Sequence, residues 1–239
     1  MAAGHARFRR CALTIGATGW GTRPPSVDPV FVAQLATWMN RPDRTLLGFV
    51  WAAYERMLVD QPPVDGRDLE RSISQLLEPR VRDAMTGYEP FYIQHATFER
   101  ETMAPPPAQP PEYDLAFVWR ADERVIWPLE AKVLETPGRL VEYDRDLRME
   151  FLTCRYAPFT ASGAMVGYLL SGEPGEALER IATKLGVTLG KISDDDDRPQ
   201  RISRHLRQVP AGKSYSADFD CYHLIFKFGS LRRCAEAAP

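Results

Sequence analysis

Cysteine is sparse in this 239-residue chain: Cys11, Cys154, Cys221 and Cys234 lie far apart, with no CxxC pair and no histidine cluster beside them. That spacing excludes a zinc knuckle and a disulfide framework, and it points to a reducing, cytoplasmic setting. No apolar run approaches the roughly 20 residues of a membrane span. The first residues also lack the continuous apolar core and cleavage site of a signal peptide, so no membrane partner is expected. Charge has no strong bias: 30 Lys and Arg stand against 32 Asp and Glu, a formal net charge of −2. A uniformly basic nucleic-acid coat is thereby excluded, and any phosphate-binding surface must be local. Gly16-Ala17-Thr18-Gly19 completes neither a dinucleotide fingerprint nor a phosphate loop. The aspartates at 194–197 lack the glycine and glutamate spacing of a calcium loop.

What is present suffices for a full core, since 44% of residues are hydrophobic. The basic residues concentrate late, where Arg198, Arg201, Arg204, Arg207, Lys213, Lys227, Arg232 and Arg233 outnumber Asp218, Asp220 and Glu236. Residues 28–60 carry apolar side chains at helical spacing, broken at Arg41-Pro42-Asp43, and predict two short helices. They form the expected N-terminal helical extension, residues 1–63, ahead of a domain spanning 64–239. A periodic helix is expected from an Asp68 cap to about Met85, with Gly87 beyond its end.

Strands are expected at 91–98, 113–119 and 125–134, the last two forming a hairpin, with a proline-rich extended loop at 104–111. Trp119 and Trp127 are expected to pack that hairpin. A helix at 138–155, a strand at 164–170 and a helix at 174–185 stopped by Gly186 follow. A short helix at 202–209 and a strand at 222–228 complete the order, giving an α/β fold.

Glu130 and Lys132 stand two apart in an otherwise apolar strand, so both side chains leave the same face. Charge in that setting is costly unless paired, metal-bound or open to a cleft. Asp114, at the start of the preceding hairpin strand, stands across from Glu130. Two carboxylates and the Ala131 carbonyl then offer oxygen ligands to a hard cation. Such an ion stabilises charge and activates water in phosphodiester hydrolysis. Lys132 would stabilise the phosphate, or position or deprotonate the attacking water. The alternative is an exposed hairpin with an incidental Asp and a surface Glu/Lys pair.

Pro111-Glu112-Tyr113-Asp114 followed after fifteen residues by Glu130-Ala131-Lys132 resembles the PD-(D/E)XK signature of the restriction-endonuclease-like nucleases, over roughly residues 69–170. Here the first motif reads Pro-Glu-Tyr-Asp rather than a simple Pro-Asp. The resemblance implies a central mixed β-sheet flanked by helices, with Asp114 and Glu130 as metal ligands and Lys132 beside the scissile phosphate. It implies a Mg²⁺- or Mn²⁺-dependent phosphodiesterase, a DNA endonuclease or exonuclease. Many members carry a glutamate on the helix before the sheet. Glu70 fits better than Glu78, because it aligns with Ile73, Leu77 and Val81.

The family's helix after the triplet packs beside the site, which makes Tyr143, Arg148 and Arg155 candidate substrate contacts. His205 and Arg207, in the basic cluster 203–207, are further candidates. By the same resemblance the chain looks like the effector nuclease of a prokaryotic defence or DNA-processing system, with a sensor or motor subunit as its protein partner. A catalytically inactive nuclease-fold subunit that grips nucleic acid or a partner protein is the alternative. The oligomeric state, a dimer included, stays open.

Overall fold

The structure is a computed structural model and describes residues 42–102, 110–193 and 197–229. The expected first helix of the N-terminal pair, most of the proline-rich loop and most of the aspartate run lie outside these residues. Helix α1 (Pro42–Asp60) is followed by α2 (Leu69–Ala84), then β1 (Phe91–Phe98), β2 (Glu112–Trp119) and β3 (Ile126–Leu134). Helix α3 (Val141–Asp146) runs into a π-helical turn (Leu147–Phe151). Strand β4 (Ser162–Leu169), α4 (Pro174–Leu185), β5 (Gln200–Leu206) and β6 (Asp218–Lys227) complete the order.

The six strands make one mixed sheet in the order β1-β2-β3-β4-β6-β5. Pairs β1–β2, β2–β3 and β5–β6 are antiparallel, and β3–β4 and β4–β6 are parallel. The central strands read apolar on both sides, as a sheet covered on both faces requires. One face packs Leu115, Phe117, Leu129, Val166, Leu224 and Phe226 against α1 and α2. The other packs Ile126, Leu134, Met165 and Ile225 against α3, the π turn and α4. Among the described residues no helix is long and apolar enough to cross a membrane.

Local chemistry accounts for the element ends. Asp68 caps α2 by accepting from the Arg71 N–H at 3.2 Å. Gly186, at φ +70°, closes α4 in the left-handed conformation that glycine adopts without penalty. Trp119 packs edge-on to Phe91, and Trp127 packs against Phe117, as expected of the hairpin.

Three expectations need correction. Residues 42–60 are not an appendage. Trp51, Tyr54 and Met57 belong to the core on one sheet face, the Trp51 indole donates to Gln200 at 2.6 Å, and Asp43 accepts from Tyr222 at 2.8 Å. The domain therefore begins before residue 63. The segment 202–209 forms edge strand β5 rather than a helix, because β6 supplies a ladder from Gln200↔Leu224 to Leu206↔Asp218. The helix expected over 138–155 starts at Val141 and widens after Asp146, where Leu152 N–H bonds to Leu147 O at 3.1 Å, five residues back.

Candidate cation and phosphodiester site

Strand β3 carries the site. Its even positions face the α3 layer, where Ile126 and Leu134 are core residues and Glu130 and Lys132, between them, are each 7% exposed. Lys132 pairs in register with Gly167 of β4. A Cβ at 167 would meet Leu134 Cδ1 at 2.6 Å, so glycine there lets the strand pack close beside the charged pair.

The β2–β3 ladder ends at Leu115↔Leu129. Beyond that rung the two outward N–H groups of β3 take side-chain partners in place of a strand. Ala131 N–H donates to Asp114 Oδ2 at 2.8 Å, and Val133 N–H donates to Glu70 Oε2 at 3.2 Å. Two carboxylates thus close the gap left by the diverging strand. Opposite Asp114 on β1 stands Ala96, at φ +52°, a left-handed conformation uncommon for any residue but glycine. The β1–β2 pairing skips that rung.

The Lys132 ammonium lies at the centre. Its Nζ donates to Ala131 O at 2.6 Å, Glu130 Oε1 at 2.8 Å and Glu70 Oε1 at 3.1 Å. Asp146 Oδ2 lies 3.3 Å away and Asp114 Oδ2 3.9 Å. Burial alone would depress its pKa, but the Glu130, Asp114 and Glu70 charges raise it above the ordinary lysine value. Burial drives Glu130 well above the usual carboxylate range, and neighbouring Asp114 adds to the rise. Asp114 and Glu70 are likewise raised by burial, with Lys132 opposing. Glu130 Oε2 is buried with no hydrogen-bond partner.

A cleft of about 210 Å³ opens beside these groups, lined by Asp68, Glu70, Arg71, His95, Glu112 and Asp114 among others. Burial and nearby Arg71 hold the His95 imidazole below its ordinary pKa.

Asp114, Glu130, Lys132 and Glu70 are therefore brought together. Asp146 joins them from α3 and also takes Arg145 at 2.8 Å. Its signal in the sequence was its place three residues after Tyr143 and one before Leu147, both core residues. His95 gives no signal in the sequence, since a single histidine in a strand carries no pattern.

The other expected contacts are held by partners within the fold. Tyr143 is 1% exposed, and its hydroxyl bonds to His223 Nδ1 at 2.8 Å, so it offers no surface to a substrate. Arg207 is 6% exposed. It donates to Ser216 O and Ala157 O and lies over the Phe219 ring, so its guanidinium is tied into the fold. His205, bonded to Ser203 Oγ at 2.6 Å, lies on β5, which β4 and β6 separate from β3. Arg148 and Arg155 are half-exposed and paired with Asp144 and Glu150.

Among the described residues no three His, Cys, Asp or Glu side chains stand close enough to enclose a metal ion as they are. The carboxylates surround an ammonium, whose hydrogen-bond lengths exceed the roughly 2.1 Å of a Mg²⁺–oxygen bond. The donor set nonetheless fits a hard cation: it is all oxygen, and one buried carboxylate oxygen has no donor. The chain matches no family model, no curated protein and no solved structure.

Proposed function

We propose that this chain is a metal-dependent nuclease of the PD-(D/E)XK type that hydrolyses DNA phosphodiester bonds. The observation that carries the reading is the buried Lys132 ammonium among Glu70, Asp114, Glu130 and Asp146, in the middle of an apolar strand. Such an arrangement costs stability, and cost of that kind collects at functional sites. Asp on β2 and Glu/Lys on the adjacent β3, within a mixed sheet covered by helices, also agree with the arrangement that the motif implies.

Asp114, Glu130 and the Ala131 carbonyl would hold Mg²⁺ or Mn²⁺, which when bound supplies charge neutralisation and an acidified water. Lys132 acts as a cation: the carboxylates that raise its pKa keep it protonated at neutral pH, which favours phosphate stabilisation over proton abstraction. Glu70 holds the β3 edge through the Val133 N–H and positions the ammonium. DNA as substrate and a sensor or motor protein as partner are carried over from the motif alone.

The test is cleavage of linear, circular and single-stranded DNA by purified protein with and without Mn²⁺. Glu130→Gln and Lys132→Ala should each lower the rate by about 100-fold or more. Full cleavage by either variant would sink the mechanism. An inactive binding subunit is the second reading, favoured by the ammonium at the centre of the acidic group; Mn²⁺ binding that depends on Asp114 counts against it.

A further inference from the structure

Lys132 has more oxygen neighbours than protons to give. An ammonium donates three hydrogen bonds and carries one charge. Five oxygens nevertheless lie within 4 Å of Nζ, on Ala131, Glu130, Glu70, Asp146 and Asp114. Asp146 is the one carboxylate that no motif assigns. It approaches from α3, in the layer opposite α2 and Glu70.

Glu130 and Glu150 each bury an oxygen with no hydrogen-bond partner. Glu130 is 7% exposed, and Asp114, Lys132 and Asp146 are the charges that act on it. A partnerless carboxylate oxygen in such surroundings is a strong call for a cation. Four elements, α2, β2, β3 and α3, thus present an all-oxygen shell around one point, the ligand set that hard divalent ions take. The distances are those of an ammonium at the centre. An ion there would draw the oxygens inward by roughly 1 Å.

We propose that Asp146 is a ligand of a divalent cation in this cage, and that the Lys132 ammonium is the cage's resting occupant, displaced when the ion enters. The proposal rests on the metal-dependent reading of the site.

The test uses Mn²⁺ alone on the purified full chain, without nucleic acid, read by calorimetry and by the electron paramagnetic resonance of free Mn²⁺. Asp146→Asn should weaken Mn²⁺ binding by about tenfold or more. Lys132→Met should tighten it by a similar factor, because the internal competitor is gone. Asp144→Asn, on the same helix and paired outward with Arg148, should change nothing.

Wild-type affinity in Asp146→Asn, or unchanged or weaker binding in Lys132→Met, overturns the proposal. If Lys132→Met loses its fold without ion, recovery of its thermal midpoint on adding Mn²⁺ reads the same competition, and no recovery overturns it. Asp146-dependent Mn²⁺ binding without DNA cleavage removes the nuclease and keeps the cage. Cleavage with Mn²⁺ binding indifferent to Asp146 does the reverse, and no Mn²⁺ binding by the wild type removes both.

Discussion

At Glu130 one carboxylate oxygen meets Lys132 and the other meets no donor. Its pKa is raised, chiefly by burial. A group raised on folding contributes stability below its unfolded pKa and loses that contribution as pH rises through the folded value. The loss therefore falls above the ordinary carboxylate range. Glu130→Gln removes it, so urea midpoints measured from pH 5 to 8 should decline for the wild type relative to the variant. By pH 8 the variant should be the more stable by on the order of 1 kcal/mol. Parallel profiles would mean that Lys132 fully compensates the charge.

The same residues show what could be read in advance. Asp114, Glu130 and Lys132 stood out because charge inside an apolar strand has few structural uses, and Glu70 because it shared the stripe of Ile73 and Leu77. Asp146 hid in a helix rich in both charges, where solvent is the usual partner. Tyr143 and Arg207 were expected to meet substrate, one from its helix and one from its basic cluster, yet both are buried, Tyr143 against His223 and Arg207 against the Ser216 and Ala157 carbonyls.

Among the elements, the β1–β2 ladder is interrupted where Asp114 needs freedom. Ala96 holds a left-handed backbone at the rung facing it, a conformation that costs an L-residue roughly 1–2 kcal/mol. Ala96→Gly should therefore lose no stability, whereas glycine in a regular strand costs about 0.5–1 kcal/mol. Ala96→Val should cost about 1–2 kcal/mol or more. Urea denaturation of both variants checks this, and an ordinary strand penalty for the glycine would mean that the rung is not strained.

Strands β1 to β4 and helix α4 were legible because alternation, apolar runs and caps are local signals. Strand β5 was not. Its sequence, Gln-Arg-Ile-Ser-Arg-His-Leu, lacks clean alternation, and pairing with β6, with a bridge to Gly190, makes it a strand. The widening after Asp146 was equally silent, since an i+5 hydrogen bond leaves no mark on composition.

At the scale of the whole molecule, α1 was readable as a helix but not as part of the core. Its burial depends on partners far along the chain, Gln200 for Trp51 and Lys227 for Tyr54. A boundary at residue 63 therefore cuts through the packing.

The mixed sheet also sets an order of events in time. Strands β1, β2 and β3 meet through near neighbours in sequence, whereas β4–β6 pairing must close a long intervening segment, and distant closure is slow. Pulse-labelling hydrogen exchange during refolding should find the β1–β3 amides protected first, with those of β4 and β6 later. Earlier protection of β4 and β6 would reject this order. On that order Asp114 and Glu130 come together before β4 and β6 cover them, so the cost of confining their like charges should fall late in folding.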